Sequence, residues 1–268
     1  MDACKRFRAL RKLTLDEAAA AAKPLSSGDK AGDKQNVVDM AQRIAGLQDI
    51  FYARRDRRLL LLLQGMDTSG KDGTIRNVFG ATDPLGMRAV SFKAPTSTER
   101  ERDYLWRIHK EVPRDGEIVI FNRSHYEDVL VPGVHEWIDA AECKRRIKQI
   151  QDFERMLAEN GTVLVKCFLH ISKDEQKDRL QQRLDNPDKH WKFDPQDIEE
   201  RKLWDAYRDL YRTAITQTDA DHAPWYVIPA NSKTHRNLAV ASVLLETLER
   251  LELSYPPAQA NYADLTIE

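Results

Sequence analysis

The chain has few cysteines and no place where they could act together. Cys4, Cys143 and Cys167 are the only three among 268 residues, they lie far apart, and none belongs to a C-x-x-C pair. That excludes a disulfide framework and a structural zinc site built from cysteine pairs. The seven histidines follow no metal-ligand spacing either. No apolar run is long enough to cross a bilayer, and the basic start "MDACKRFRALRK" leads into no signal-peptide core. The expectation is a cytoplasmic protein with no membrane partner. The formal net charge is −1, so a general nucleic-acid coat is excluded. No internal repeat is present.

What is there suits one large soluble domain. Hydrophobic residues make up 41% and charged residues 32%, which is enough to build a core and too apolar for a disordered chain. Residues 1–35 read as an N-terminal arm, because the alanine run at 18–22 and the polar stretch "KPLSSGDKAGDKQ" lack sustained periodicity. The domain is expected over 36–268, opening with a helix at about 37–52, where Val37, Met40, Ile44, Leu47, Ile50 and Phe51 recur at helical spacing.

Beyond that point short apolar runs alternate with helical patterns. The expected strands are 58–63, 88–92, 117–121, 162–171 and 225–230, and their continuous apolar character suits a parallel sheet covered on both faces. A capping box, "TSTE" at 96–99, should open a helix running to about Glu111. Further helices are expected over 140–159 with Gly161 as the stop, from the Ser172 cap to near Pro187, as one long helix from Asp194 and Pro195, and over about 235–251. This alternation predicts a layered α/β fold with helices on both sides of the sheet.

Two stretches carry the chemistry. "GMDTSGK", residues 65–71, follows a strand and precedes a helix, the context in which a glycine-rich turn cradles phosphate. Gly65, Gly70 and Gly73 let the backbone bend, the amides around Thr68 and Ser69 face phosphate oxygens, and Lys71 reaches the outer phosphates. The residue after the lysine, usually Ser or Thr, is Asp72, and Asp67 lies inside the loop. Carboxylates beside phosphate repel it unless a divalent cation lies between them, so Asp67 is an expected ligand for Mg²⁺, with Mn²⁺ as an alternative. Asp72 admits a second reading as a carboxylate complementing the helix dipole.

The second stretch is "EIVIFNRSHYEDVLV", residues 117–131, a buried strand ending in a polar turn. Asn122 stands where an aspartate is usual, so Glu127 and Asp128 become the remaining metal-ligand candidates. Arg123 could neutralise charge on a transferring phosphoryl group. His125 reads as structural, because a nucleotide phosphate is already ionised near neutral pH and needs no base. Arg179 and Arg183, one turn apart on one helix face, fit a helical lid at about 173–202 that closes over phosphates, and Lys93 is a further phosphate contact.

Taken together with "SFKAPT", "HWKFDPQDIEERKLWDAY" and "APWYVIPANSKTHRNLAV", these segments resemble the polyphosphate kinase 2 family from about residue 36 onward. The G-K-D-G and N-R-S-x-Y-E-D forms look most like its subgroup acting on both AMP and ADP. The resemblance implies a thymidylate-kinase-like phosphate-loop fold with a helical lid, Mg²⁺ dependence, and homodimers or homotetramers. It also implies reversible phosphoryl transfer between inorganic polyphosphate and AMP, ADP or ATP. Asp67 and Lys71 then match the family's loop carboxylate and lysine, Arg123, Glu127 and Asp128 fall in its second motif, and Arg179 and Arg183 in its lid. Two rival readings are an ATP-dependent nucleoside monophosphate kinase and a nucleotide- or polyphosphate-binding protein without turnover.

Overall fold

A computed structural model describes residues 2–9, 12–257 and 267. Five strands, β1 (Arg58–Gln64), β2 (Met87–Ser91), β3 (Ile118–Asn122), β4 (Thr162–His170) and β5 (Trp225–Pro229), form one parallel sheet in the order β2-β3-β1-β4-β5. Each strand lies within a residue or so of its expected span. Before β1 come α1 (Ala3–Phe7), α2 (Glu17–Ala21) and α3 (Lys30–Arg54), and between β1 and β4 run α4 (Lys71–Phe79), α5 (Ser97–Arg100), α6 (Trp106–His109), α7 (Glu127–Val134) and α8 (Ala140–Glu159). After β4 come α9 (Lys173–Leu184), α10 (Gln196–Lys202), α11 (Trp204–Thr218) and α12 (Lys233–Glu249).

Both faces of the sheet are covered, as the unbroken leucine run of β1 requires. Leu59, Leu61 and Leu63 pack with residues of α3, α4 and α12, whereas Leu60 and Leu62 pack with residues of α7, α8 and α11. All five leucines are fully buried, each worth about 1.5–3 kcal/mol relative to exposure. The chain leaves β1 to form β2 on one side of β3 and later places β4 on the other side of β1. The carboxyl ends of β1 and β3 are therefore a topological switch point, where open parallel sheets bind ligands.

The N-terminal segment is not a free arm. Ala3, Cys4 and Phe7 are buried in the core, and Ala9 donates its N–H to the Trp225 carbonyl at 2.8 Å, so this segment covers the outer edge of β5. The helix expected from residue 37 starts at Lys30, because the Asp29 carboxylate accepts from the N–H groups of Ala31 and Gly32.

Two long helices expected from the sequence are broken. The capping box at Thr96 and Glu99 is formed, but α5 ends at Arg100. Asp103 accepts from the Leu105 N–H at 3.0 Å, and this local bond competes with helix continuation. The helix expected to run on from Pro195 stops at Leu203 and restarts at once as α11.

Candidate active site

The loop between β1 and α4 is shaped by positions that need no Cβ. Gly65 has φ +153°, and a Cβ there would lie 2.6 Å from the Leu169 carbonyl oxygen. Gly70, at φ +99°, is the N-cap of α4. Lys71 turns back onto its own loop, its Nζ donating to the Gly65 carbonyl at 2.7 Å. Burial, reinforced by Arg123, pushes the Lys71 ammonium below its ordinary value, with Asp67, Glu127 and Asp72 opposing. The hydroxyls of Thr68 and Ser69 are buried with no hydrogen-bond partner. Unsatisfied donors of that kind suit the binding of an anion.

The second motif meets this loop through Arg123, held at φ +63° where β3 ends. Its N–H continues the sheet to the Leu63 carbonyl at 3.0 Å. Its guanidinium donates to Asp67 Oδ1 at 2.7 Å and lies 3.6 Å from Glu127 Oε2. Glu127 is fixed further by Gln64 Nε2 at 3.0 Å. Asn122 donates to Asp72 Oδ1 at 2.7 Å, so Asp72 ties the first helical turn to the end of β3. Two carboxylates from different loops thus converge on one cationic group.

These residues border a cavity of about 630 Å³. Gly65, Asp67, Lys93, Arg123, Glu127 and Asp128 all line it. Its far wall is aromatic, made by Trp204, Tyr207 and Tyr211, with the exposed ring of Trp137 at the rim. The Asp197 carboxyl of α10 also lines it. Burial and then Asp67 push that carboxyl up to about 6, against the pull of Arg183.

Several expected contacts have other tasks. Asp128, expected at a metal, accepts from Arg107 Nη2 at 2.8 Å, and the pair is nearly buried. Arg107 in turn donates to the Lys93 carbonyl at 2.7 Å. Arg179, expected on phosphate, spends every donor of its guanidinium on protein. Its Nε meets Glu175 at 2.7 Å, its Nη1 the Thr68 and Ser69 carbonyls at 2.8 and 3.3 Å, and its Nη2 the Ala230 and Asn231 carbonyls at 2.7 Å each. It therefore clamps the phosphate loop to the loop after β5, because backbone carbonyls at both ends match the planar fork. Arg183 donates to the Lys192 carbonyl at 2.9 Å and Asp197 at 3.2 Å, holding α9 and α10 together.

His125 is fully buried, with Nε2 3.1 Å from Glu154. Beside it Lys166, also fully buried, lies 2.5 Å from Glu154 and 3.1 Å from the Tyr126 hydroxyl. His125 and Tyr126 sit between Arg123 and Glu127 in sequence, so this buried network is the floor on which the second motif rests.

Reading the sequence missed Arg107, Gln176, Arg201 and Arg236. Gln176 donates to the Asp67 carbonyl at 3.2 Å and accepts from Arg201 Nη1 at 2.9 Å. Arg236 Nη1 lies 3.2 Å from the Ser69 carbonyl. Each is joined to its partner across a wide gap in sequence, and no local pattern marks it. Among the described residues no cluster of three carboxylate, histidine or cysteine groups stands ready for a metal, and no helix is long and apolar enough to cross a membrane.

Residues 27–255 match the family model described as polyphosphate kinase 2. The chain belongs to the polyphosphate kinase 2 family. It is 50% identical over 241 residues to the AMP/ADP-polyphosphate phosphotransferase of Meiothermus ruber, covering 90% of each chain. It is 42% identical over 227 residues to the ADP-polyphosphate phosphotransferase of Rhodopseudomonas palustris, covering 80% of this chain and 78% of that one. The crystal structure of polyphosphate kinase 2 from Arthrobacter aurescens superposes with a TM-score of 0.95 at 44% identity, over 98% of this chain and 95% of the other. The layered α/β fold expected from the alternation of strands and helices, and the phosphate-loop kinase fold that the resemblance implied, are the ones observed.

Proposed function

We propose that the protein is a kinase that moves a phosphoryl group between inorganic polyphosphate and adenine nucleotides, AMP to ADP and ADP to ATP, by in-line transfer at the mouth of the phosphate loop. One observation carries this reading: Asp67, Arg123 and Glu127 meet in a single cavity at the switch point of the sheet, beside Lys71 and the unpartnered hydroxyls of Thr68 and Ser69. The two relatives named above are an AMP/ADP- and an ADP-polyphosphate phosphotransferase, which favours polyphosphate over ATP as the phosphoryl source.

The donor set fits a hard divalent cation, since Mg²⁺ binds one or two carboxylates and completes its shell with phosphate oxygens and water. Asp67 and Glu127 would hold it, with Mn²⁺ able to replace it. Bound there, the ion supplies neutralisation of charge between two phosphate groups that would otherwise repel each other. Asp128 lines the same cavity, but its ion pair with the nearly buried Arg107 makes it the less suited second-motif carboxylate.

The remaining roles belong to the chain's own groups. Lys71 exchanges the Gly65 carbonyl for a phosphate oxygen, and the Thr68 and Ser69 hydroxyls donate to the same chain. Arg123 turns from the two carboxylates toward the transferring group and meets the charge that spreads over its oxygens. No general base is required, because the accepting phosphate is ionised. The helices over 173–202, tied to the loop by Arg179 and Gln176, exclude water as a lid.

The test uses polyphosphate as the sole donor, with Mg²⁺ and AMP, and separates the nucleotides by chromatography. ADP followed by ATP is expected. Unchanged AMP, with conversion restored by ATP, would show a nucleotide-dependent kinase instead.

A further inference from the structure

The guanidinium of Arg236 lies directly under the phosphate loop. Arg236 comes from the first turn of α12, is 3% exposed, and packs where two loop glycines leave room. A Cβ at Gly70 would fall 1.8 Å from its Nη1, and one at Gly73 would fall 3.1 Å from its Nη2. The first glycine of the G-K-D-G stretch, Gly70, therefore has a physical reason. Its missing side chain is the space that Arg236 occupies.

What holds this cation is unusual. Nη1 donates to the Ser69 carbonyl at 3.2 Å, and Nε and Nη2 both reach Asn237 Oδ1, at 3.2 and 2.9 Å. Among the described residues no carboxylate pairs with it. Burial, and after it the like charge of nearby Arg179, push the Arg236 guanidinium down to about 10. The N-terminus of the nine-residue α4 adds its own partial positive charge at the same spot. A buried cation facing further positive charge costs stability unless it is balanced. An anion bound in front of the loop would offset that cost.

We infer that Arg236 is a positioning residue of the phosphate site: it holds the Ser69 carbonyl from behind and supplies a fixed positive charge whose balancing anion is the phosphate chain in front. This rests on the reading of the loop as the phosphate site. The contribution passes through the thickness of the loop, without contact between Arg236 and the substrate.

The probe is tripolyphosphate in metal-free buffer, with its affinity measured by calorimetry and its effect on melting temperature measured in parallel. The proteins are wild type, Arg236→Gln, Arg236→Lys and Lys71→Met. Arg236→Gln should melt no lower than wild type without ligand, bind tripolyphosphate at least tenfold more weakly, and show a shallower dependence of affinity on salt. Arg236→Lys keeps the charge but not the fork, and should bind within about threefold of wild type.

Wild-type affinity in Arg236→Gln, alongside loss in Lys71→Met, would overturn the inference and leave the loop assignment standing. Wild-type affinity in both would overturn the loop assignment itself. Should Arg236→Gln fail to fold, Arg236→Lys decides. Tight binding supports the role of charge, and binding as weak as that of Lys71→Met would show that only the fork's hydrogen bonds matter.

Discussion

Arg123 Nη2 lies 2.7 Å from Asp67 Oδ1, joining the end of β3 to the middle of the phosphate loop across 56 residues of sequence. The guanidinium sits where Asp67 and Glu127 converge, the position proposed above for the divalent cation. The Asp67 and Arg123 side chains are 26% and 40% exposed, so the pair itself contributes only about 0–1 kcal/mol to stability. Asp67→Asn should therefore melt close to wild type while transfer falls by about a thousandfold or more, the scale of losing a transition-state contact. Initial rates at saturating polyphosphate, with the melting curve alongside, check this.

Asp128 and Glu127 are neighbours in sequence with opposite consequences when neutralised. Asp128→Asn leaves the nearly buried Arg107 without its counter-charge, and should cost about 3–5 kcal/mol of stability. Glu127→Gln keeps its amide contact with Gln64 in reach and should leave stability near wild type while removing activity. Urea unfolding of both variants separates the two roles.

The Lys166 ammonium and the Glu154 carboxylate are both fully buried, 2.5 Å apart. Burial pushes the lysine below its ordinary value, with Glu154 opposing. Lys166→Met should cost about 3–5 kcal/mol, because it strands the carboxylate, whereas Lys166→Met with Glu154→Leu should recover most of that loss. Activity in the double variant should stay low, since His125 and Tyr126 no longer have the acceptor that fixes the second motif. Denaturant midpoints and rates for the three proteins provide the comparison.

Asp197 gives the protein a specific pH dependence. Its carboxyl is pushed up to about 6 in the folded state by burial and by Asp67, above the unfolded value of about 3.9. The folded form then binds the proton more tightly, so ionisation of this group weakens the fold. Its penalty is absent below about pH 4, grows as pH rises through about 4 to 6, and is complete above. Asp197→Asn should flatten the decline over that window and raise the melting temperature at pH 7. The comparison is made without metal, because a cation on Asp67 removes part of the cause.

The frame of the molecule was legible in the sequence because strands buried on both faces must be apolar throughout. Leu59 to Leu63, and the run from Ile118 to Phe121, could be little else. The phosphate loop was legible because Gly65, Gly70 and Lys71 must be close in sequence to make one turn. Partners across the fold were not. Nothing near Asp128 announces Arg107, twenty-one residues earlier, and nothing near Arg179 announces the loop carbonyls of Thr68 and Ser69. Helix breaks were equally hidden, since the Asp103 side chain and the turn at Leu203 interrupt patterns whose apolar spacing continues unbroken. Within the stretch 1–35 that reads as an arm, the burial of Ala3, Cys4 and Phe7 was hidden because it depends on the far side of the fold, where Ala9 joins β5 more than two hundred residues away.

The most direct measurement follows Mn²⁺ in place of Mg²⁺ by electron paramagnetic resonance, in the presence of tripolyphosphate, for wild type, Asp67→Asn, Glu127→Gln and Asp128→Asn. Tight binding in wild type, a loss of at least about tenfold in the Asp67 and Glu127 variants, and retention in any Asp128→Asn that remains folded is the result expected. Binding lost only in Asp128→Asn, or unchanged in all three, would contradict the placement of the cation between Asp67 and Glu127.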